Sequence, residues 1–273
     1  MMPIQDNSPR QLLDFYMEAG ADALVGEEAV DRFADADAPP TPPRERTPLA
    51  PPTPAPVMRP SPAMASAAPQ PPDEAALAAR QAAKSAGSLD ELRGLLEKFD
   101  GCALKATASR LVFADGNPQA RVMLVGEAPG RDEDIEGVPF VGRAGKLLDL
   151  MLAAIGLDRT QVYIANIVPW RPPGNRTPTP QESAICLPFI KRQIELVDPD
   201  FLICLGKPSM QTLLAIQEPI SKARGRWTTF DTGKREIKAM ATFHPAFLLR
   251  SPLQKRFAWR DFLSLKKALA TGQ

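Results

Sequence analysis

The chain has 273 residues, 44% of them hydrophobic and 24% charged, the composition of an ordinary soluble protein long enough for one good domain plus extra segments. No stretch approaches the roughly 18 to 20 apolar residues of a spanning helix, and the N-terminus lacks the basic-then-apolar layout of a signal peptide; membrane and disordered-only classes are excluded, and a cytoplasmic location is expected. The net charge of +1 hides a split: 12 acidic and 5 basic residues through Ala75 leave 20 acidic and 28 basic beyond it, so an acidic arm is tethered to a basic domain suited to a polyanionic partner.

In chain order, residues 1–37 form a short acidic segment. Leu12, Leu13, Phe15, Tyr16 and Ala19 fall at helical spacing, and Ala29, Val30 and Phe33 mark a second short piece. Two such helices bury little alone, so either they dock on the main domain or they form a partner-binding peptide. Residues 38–73 read as a linker. Its 14 prolines between Pro39 and Pro72 remove backbone donors and favour an extended chain. Residues 74–273 then form the main domain.

That domain opens with helices near Glu74–Lys84 and Leu89–Phe99, the second started by Ser88 with Glu91 three residues on. From Arg121, strand-like and helical runs alternate. Val122–Val125, Val162–Val168, Phe201–Leu205, Trp227–Phe230 and Ile237–Phe243 read as strands; Gly145–Ile155, Gln181–Val197, Pro208–Ile216 and Leu253–Leu269 read as helices. The alternation predicts an α/β fold, a three-layer α/β/α sandwich around a central, mostly parallel sheet.

Ligands of such sheets sit outside the carboxyl ends of the strands. The residues there are GEAPG at 126–130, Asn166 followed by PWRPPGNRTP, and His244 in HPAFLLRSP, with the Leu205-Gly206-Lys207 end less distinctive. Neither a dinucleotide fingerprint nor a Walker A motif is present: the glycine spacing of the first is absent, and Gly142-Arg143-Ala144-Gly145-Lys146 lacks the spacing of the second. Asp132, Glu133 and Asp134 read as a solvated loop, and Phe140 as core packing or a site residue. His244 is the chain's one histidine, so a multi-histidine metal site or a Ser-His-Asp triad has no support. A neutral imidazole at a strand end can instead donate to a developing anion. Cys102, Cys186 and Cys204 are an odd number without framework spacing, which argues against a disulfide scaffold.

Several of these motifs, in the same order over about residues 100–270, resemble the uracil-DNA glycosylase superfamily, most closely its type 4 members: GEAPG with Glu133, PFVGRAGKLLD, VYIANIVPWRPPGNRTPTP, the helix with Cys186, and HPAFLLR. The resemblance implies that Phe140 stacks on a uracil flipped from the duplex, that Asn166 reads its polar edge, that His244 donates to O2 as the base leaves as an anion, and that Glu127 positions the attacking water. Backbone N–H groups of the GEAPG turn would share the charge. Ala128 stands where type 1 relatives carry a catalytic aspartate and Gly130 where they carry an aromatic ring; Glu133 then walls that side of the uracil pocket.

The same resemblance implies DNA contacts from Arg171, Asn175, Arg176, Arg250, Lys255 and Arg256, with Leu248-Leu249 either a wedge that fills the vacated stack or packing onto the last helix. Type 4 proteins carry a [4Fe–4S] cluster on four cysteines. Cys102 and Cys186 match two of those positions; Phe99 and Trp170 occupy the others, so no cluster, metal or other cofactor is expected and the rings fill its space. No lysine matches a Schiff-base position. The expected activity is therefore a monofunctional, monomeric DNA repair glycosylase that hydrolyses the N-glycosidic bond of uracil in DNA and leaves an abasic site. The alternatives are a non-catalytic DNA-binding scaffold on the same fold, or a glycosylase for hypoxanthine or xanthine. The partners implied are uracil-containing DNA and, for the N-terminal segment, a protein; no membrane is involved.

Overall fold

The structure, a computed structural model, describes residues 72–271. The expectations for residues 1–37 and for the Pro-rich stretch up to 71 lie outside the described residues.

The elements in chain order are α1 (Pro72–Ser85), α2 (Leu89–Lys98), β1 (Asp115–Gly116), β2 (Val122–Gly126), α3 (Arg131–Glu136), α4 (Arg143–Ala153), β3 (Val162–Asn166), α5 (Pro180–Val197), β4 (Phe201–Leu205), α6 (Lys207–Leu214), α7 (Ile220–Ala223), β5 (Trp227–Asp231), β6 (Glu236–Thr242), α8 (Pro245–Arg250) and α9 (Lys255–Thr271). Helix α1 begins two residues inside the stretch read as linker, with a proline at its first position, where a missing N–H is no loss. At α2 the Ser88 hydroxyl accepts from Glu91 N–H at 3.2 Å, while the Glu91 carboxylate reaches back to Gly87 N–H at 2.6 Å, one residue before the cap. A cap of this kind contributes about 1 kcal/mol.

The six strands lie in the order β1-β3-β2-β4-β6-β5; the inner four are parallel, and β1 and β5 close the edges antiparallel. Every residue of β2, β3 and β4 is buried, which explains why these strands read as unbroken apolar runs. The period-2 alternation of β2 then assigns the layers. Val122 and Leu124 face Leu148 and Leu152 of α4 and Phe262 and Leu265 of α9. Met123 and Val125 face the opposite layer, with Phe189, Ile190 and Ile194 of α5 and Leu92 and Leu96 of α2. Burying each such side chain is worth roughly 1.5–3 kcal/mol.

The chain passes from β2 to β3 on one side, then returns across β2 through α5 to reach β4. The strand order therefore reverses at β2, and the crevice at a reversal point opens outside the strand carboxyl ends. Register levels those ends: Gly126 pairs with Asn166, and Leu205 with Thr242. Ser209 of α6, fully buried, ties its helix to the same edge by donating to the Val125 carbonyl at 2.7 Å. Among the described residues, no helix is long and apolar enough to cross a membrane.

Candidate active site

A cavity of about 560 Å³ opens over the end of β2, within the size range of small-ligand pockets. Its walls bring together Glu127, Ala128, Glu133, Phe140, Asn166 and His244. Asn175, Arg176, Lys207 and Arg250 also line it. Lys207 is one of the lining residues, with Thr177, that sequence reasoning passed over: its strand-end position is the available signal, but Gly206-Lys207-Pro208 matches no motif with a mechanism.

Asn166 ends β3 and is 5% exposed. Across the register, Gly126 leaves room for it: a Cβ there would lie 2.4 Å from Asn166 Oδ1 and 2.7 Å from Phe140 Cζ. Phe140 has φ of +55°, a conformation that a bulky side chain adopts only when its surroundings impose it, at a cost of roughly 1–3 kcal/mol. The imposing group is Arg159. Its guanidinium donates to the Pro139 carbonyl at 3.1 Å and to the Phe140 carbonyl, and it is held in turn by Asp115 at 2.7 Å and Asp149 at 2.8 Å. The Phe140 ring ends beside the His244 ring, with centroids 5.5 Å apart and planes 30° from parallel.

His244 caps α8, and its Nδ1 accepts from Ala246 N–H at 3.1 Å. Burial, with a smaller contribution from the Arg250 charge, pushes its pKa down to about 4. The imidazole is therefore neutral at pH 7. Because Nδ1 is the acceptor, the proton sits on Nε2, which is a donor. Glu127 follows β2 directly. Burial raises its pKa above the ordinary carboxylate value, against the opposing hydrogen bond of Thr177. Among the described residues, two buried side-chain oxygens lack a hydrogen-bond partner, Glu127 Oε1 and Asn166 Oδ1, and both are carried by residues that line this cavity. An orphaned buried acceptor costs about 1–3 kcal/mol, a cost that a donor from a ligand or a water would relieve.

Several other residues singled out by the sequence make contacts that local sequence does not reveal. Asp132–Asp134, expected as a solvated loop, form part of α3, and Asp134 is buried, accepting from Ser109 N–H at 2.8 Å. Glu133 accepts from Gly130 N–H at 3.0 Å and Gly142 N–H at 3.1 Å, so both of its oxygens stitch the turn after β2 to the start of α4. The Gly130 N–H is thereby committed, and Pro129 has none to offer, which leaves less of the turn for anion binding than expected. Arg171 is outside the cavity wall; it donates to Asn175 Oδ1 at 2.7 Å and lies 4.0 Å from Asp134. Arg176 makes a two-pronged pair with Glu182 at 2.9 and 2.7 Å, which holds the Glu182 carboxyl at about 2. Of the two alternatives for Leu248, an exposed wedge or packing onto the last helix, the structure shows the packing. Leu248 is 1% exposed and packs with Phe243 and Ala258, because α8 turns that side chain inward. Arg250, Lys255 and Arg256 are exposed and, among the described residues, without a carboxylate partner within 4.0 Å.

Residues 113–263 match the model of the uracil DNA glycosylase superfamily. The chain is similar to the type-4 uracil-DNA glycosylase of Archaeoglobus fulgidus, 40% identical over 179 residues, which cover 64% of this chain and 90% of that one. It is 42% identical to that of Thermotoga maritima over 157 residues, covering 57% and 80% of the two chains. It is 39% identical to that of Saccharolobus solfataricus over 189 residues, covering 67% and 88%. The chain belongs to the uracil-DNA glycosylase superfamily.

The resemblance to type 4 glycosylases brings in a [4Fe–4S] cluster, which four thiolates hold. The residues present do not fit one. Cys186 donates to Cys102 with the sulfurs 4.0 Å apart, both buried. At the other two positions stand Phe99, edge-on to Phe189 with centroids 5.1 Å apart, and Trp170, 2% exposed. Among the described residues, no group of three or more His, Cys, Asp or Glu side chains is arranged to hold a metal ion.

Two glycines test the packing that shapes this glycosylase-family site. A Cβ on Gly145 would lie 1.6 Å from the Phe140 carbonyl oxygen, whereas one on Gly94, in α2, meets nothing within 4 Å. Gly145→Ala is expected to lower stability by about 1–3 kcal/mol or more, and Gly94→Ala to raise it by about 0.4–1 kcal/mol, in denaturant unfolding. Equal small effects would contradict the tight approach at Phe140.

Proposed function

We propose that this protein is a monofunctional uracil-DNA glycosylase that flips uracil into the cavity over β2 and hydrolyses its N-glycosidic bond with water as nucleophile. The observation that carries the reading is the pair of orphaned oxygens, Asn166 Oδ1 and Glu127 Oε1, in one cavity beside a neutral imidazole. Uracil presents an N3–H donor beside its O4 acceptor, the complement of an amide, so Asn166 Oδ1 accepts from N3 and the amide nitrogen donates to O4. Phe140 supplies the apolar face against which the base stacks. As the glycosidic bond breaks, charge collects on the leaving base, and His244 Nε2–H stabilises it at O2. Glu127 holds the attacking water against the oxocarbenium-like sugar. No step requires a metal, and we propose that the enzyme works without a cluster.

The test is a panel of oligonucleotides carrying a single uracil, thymine, hypoxanthine or xanthine, treated with alkali after incubation with protein assayed for iron. Cleavage of the uracil strand alone by iron-free protein is expected, with His244→Ala about 10²- to 10³-fold slower. No cleavage by folded protein, or cleavage of a purine strand in preference, removes the reading.

The pH profile separates the two titrating groups. Glu127 must be ionised to orient water, and its raised pKa means that the rate falls, as pH drops, above the ordinary carboxylate range. His244, at about 4, is still neutral there, so the acid limb belongs to Glu127. Glu127→Gln is expected to lower the plateau by about 10²-fold and to flatten that limb. An unchanged limb in the variant assigns it elsewhere.

With Leu248 buried, the wedge passes to Leu253. It is 83% exposed on the turn Pro252–Gln254, between Arg250 and the Lys255-Arg256 pair. An apolar tip among cations that grip phosphates is suited to filling the space that a flipped base vacates. Leu253→Ala is expected to slow uracil release from duplex DNA about tenfold more than from single strands; equal losses would falsify the wedge.

A further inference from the structure

Behind His244 lies a buried polar group that touches neither the cavity nor the reacting atoms. Asp261, on α9, is 1% exposed. Its carboxylate accepts from the Thr242 hydroxyl at 2.7 Å, from Arg224 Nε at 2.8 Å and from Arg224 Nη2. The same Nη2 donates to the Phe257 carbonyl at 2.7 Å, and the guanidinium carbon lies 5.8 Å from the centre of the Phe243 ring and 5.4 Å from that of Phe257. The backbone joins in: Gly225 N–H donates to the Ala241 carbonyl at 2.9 Å and Gly206 N–H to the Thr242 carbonyl at 2.8 Å. Gly225, at φ +74°, admits the approach, since a Cβ there would lie 2.3 Å from Asp261 Oδ1.

Three elements thus converge on Ala241, Thr242 and Phe243, the residues immediately before His244. As a stabilising device the arrangement is poor. Taking an ion pair out of water costs about as much as its attraction returns, and apolar residues of the same volume would hold α9 to the sheet as well. What an ion pair supplies and apolar packing does not is a direction, because its hydrogen bonds fix angles as well as distances. Thr242 is oriented by Asp261 on its side-chain side and by Gly206 on its carbonyl side. His244, two residues on, must point Nδ1 at Ala246 N–H for its proton to stay on Nε2.

We propose that Arg224, Asp261 and Thr242 are positioning residues for His244: they clamp the end of β6 so that the imidazole keeps the Nε2–H tautomer aimed into the cavity. The kinetic half of this inference rests on the glycosylase reading; the spectroscopic half rests on geometry alone.

The chain's single histidine makes the test direct, because one imidazole signal in untagged full-length protein reports His244. Thr242→Val removes the hydroxyl and keeps the shape, and Thr242→Ser restores the donor. Ser264→Ala is the control: it removes a hydroxyl on the same helix, one turn on, that accepts from Trp227 Nε1 at 2.9 Å away from the cavity. Thr242 carries the test because Asp261→Asn leaves the part-buried Arg224 without its partner and can unfold the domain. In wild-type protein the imidazole nitrogen shifts are expected to report Nε2–H alone. In Thr242→Val they move toward the average of the two tautomers, and kcat on a uracil oligonucleotide falls about tenfold with KM nearly unchanged. Thr242→Ser recovers both readouts, and Ser264→Ala loses thermal stability while keeping both. A folded Thr242→Val protein with the wild-type imidazole spectrum or the wild-type kcat overturns the proposal, as does a Ser264→Ala protein that loses kcat to the same extent. Should wild-type protein release no uracil, the glycosylase reading fails and the imidazole spectrum alone decides this one.

Discussion

Everything at the site depends on four parallel strands ending level. The pairing of Gly126 with Asn166, and of Leu205 with Thr242, brings the residues after β2, β3, β4 and β6 to one edge of the sheet, although they come from well-separated parts of the chain. A one-residue slip of β3 would turn Asn166 to the other face, since side chains alternate along a strand. The slip is blocked by burial: both faces of β2, β3 and β4 are covered, and any shift exchanges every packed side chain on both faces. The packing energy of the core is thus also what fixes the alignment of the candidate catalytic groups.

Onto that edge the molecule adds strain and orphaned polarity, each held by groups outside the cavity. Phe140 keeps its left-handed backbone because Arg159 grips the carbonyls of residues 139 and 140 and because Gly145 allows the chain to pass. Asn166 and Glu127 keep unpartnered oxygens in a setting that the surrounding fold pre-forms. A polar group already stripped of water and fixed in place needs no reorganisation when a ligand arrives, which is where electrostatic catalysis gains most. The same desolvation explains both pKa displacements: it disfavours the charged form of each group, raising Glu127 and lowering His244. One cavity therefore holds a carboxyl group that ionises late and an imidazole that stays neutral.

Much of this is legible in the chain. The buried strands announce themselves as unbroken apolar runs, and a Gly/Pro turn, an Asn and a His placed at three strand ends point by themselves to the edge of the sheet. Local sequence could not decide Leu248. Two adjacent leucines in a helix point about 100° apart, and which one faces α9 depends on packing against Ala258, which comes from a later helix. The acidic run after the first turn reads as solvent-facing because nothing near it in sequence reveals that Asp134 will meet the backbone at Ser109 and that Glu133 will bind Gly142. Arg159 and the Arg224–Asp261 pair are invisible for the same reason: a charged residue on a helix or loop looks like surface until a partner 10 to 44 residues away is brought against it. Phe99 and Trp170 could be set against a cluster position only through the resemblance; the geometry adds that Cys102 and Cys186 are a buried pair of thiols and that Phe99 packs edge-on to Phe189.

The most direct measurement is a crystal structure of the Glu127→Gln protein with duplex DNA containing one uracil. The expected result is the base in the cavity against Phe140, with Asn166 Oδ1 within hydrogen-bond distance of N3 and His244 Nε2 within that distance of O2. A uracil bound elsewhere, or one seated there with Asn166 Oδ1 still unpartnered, would contradict it.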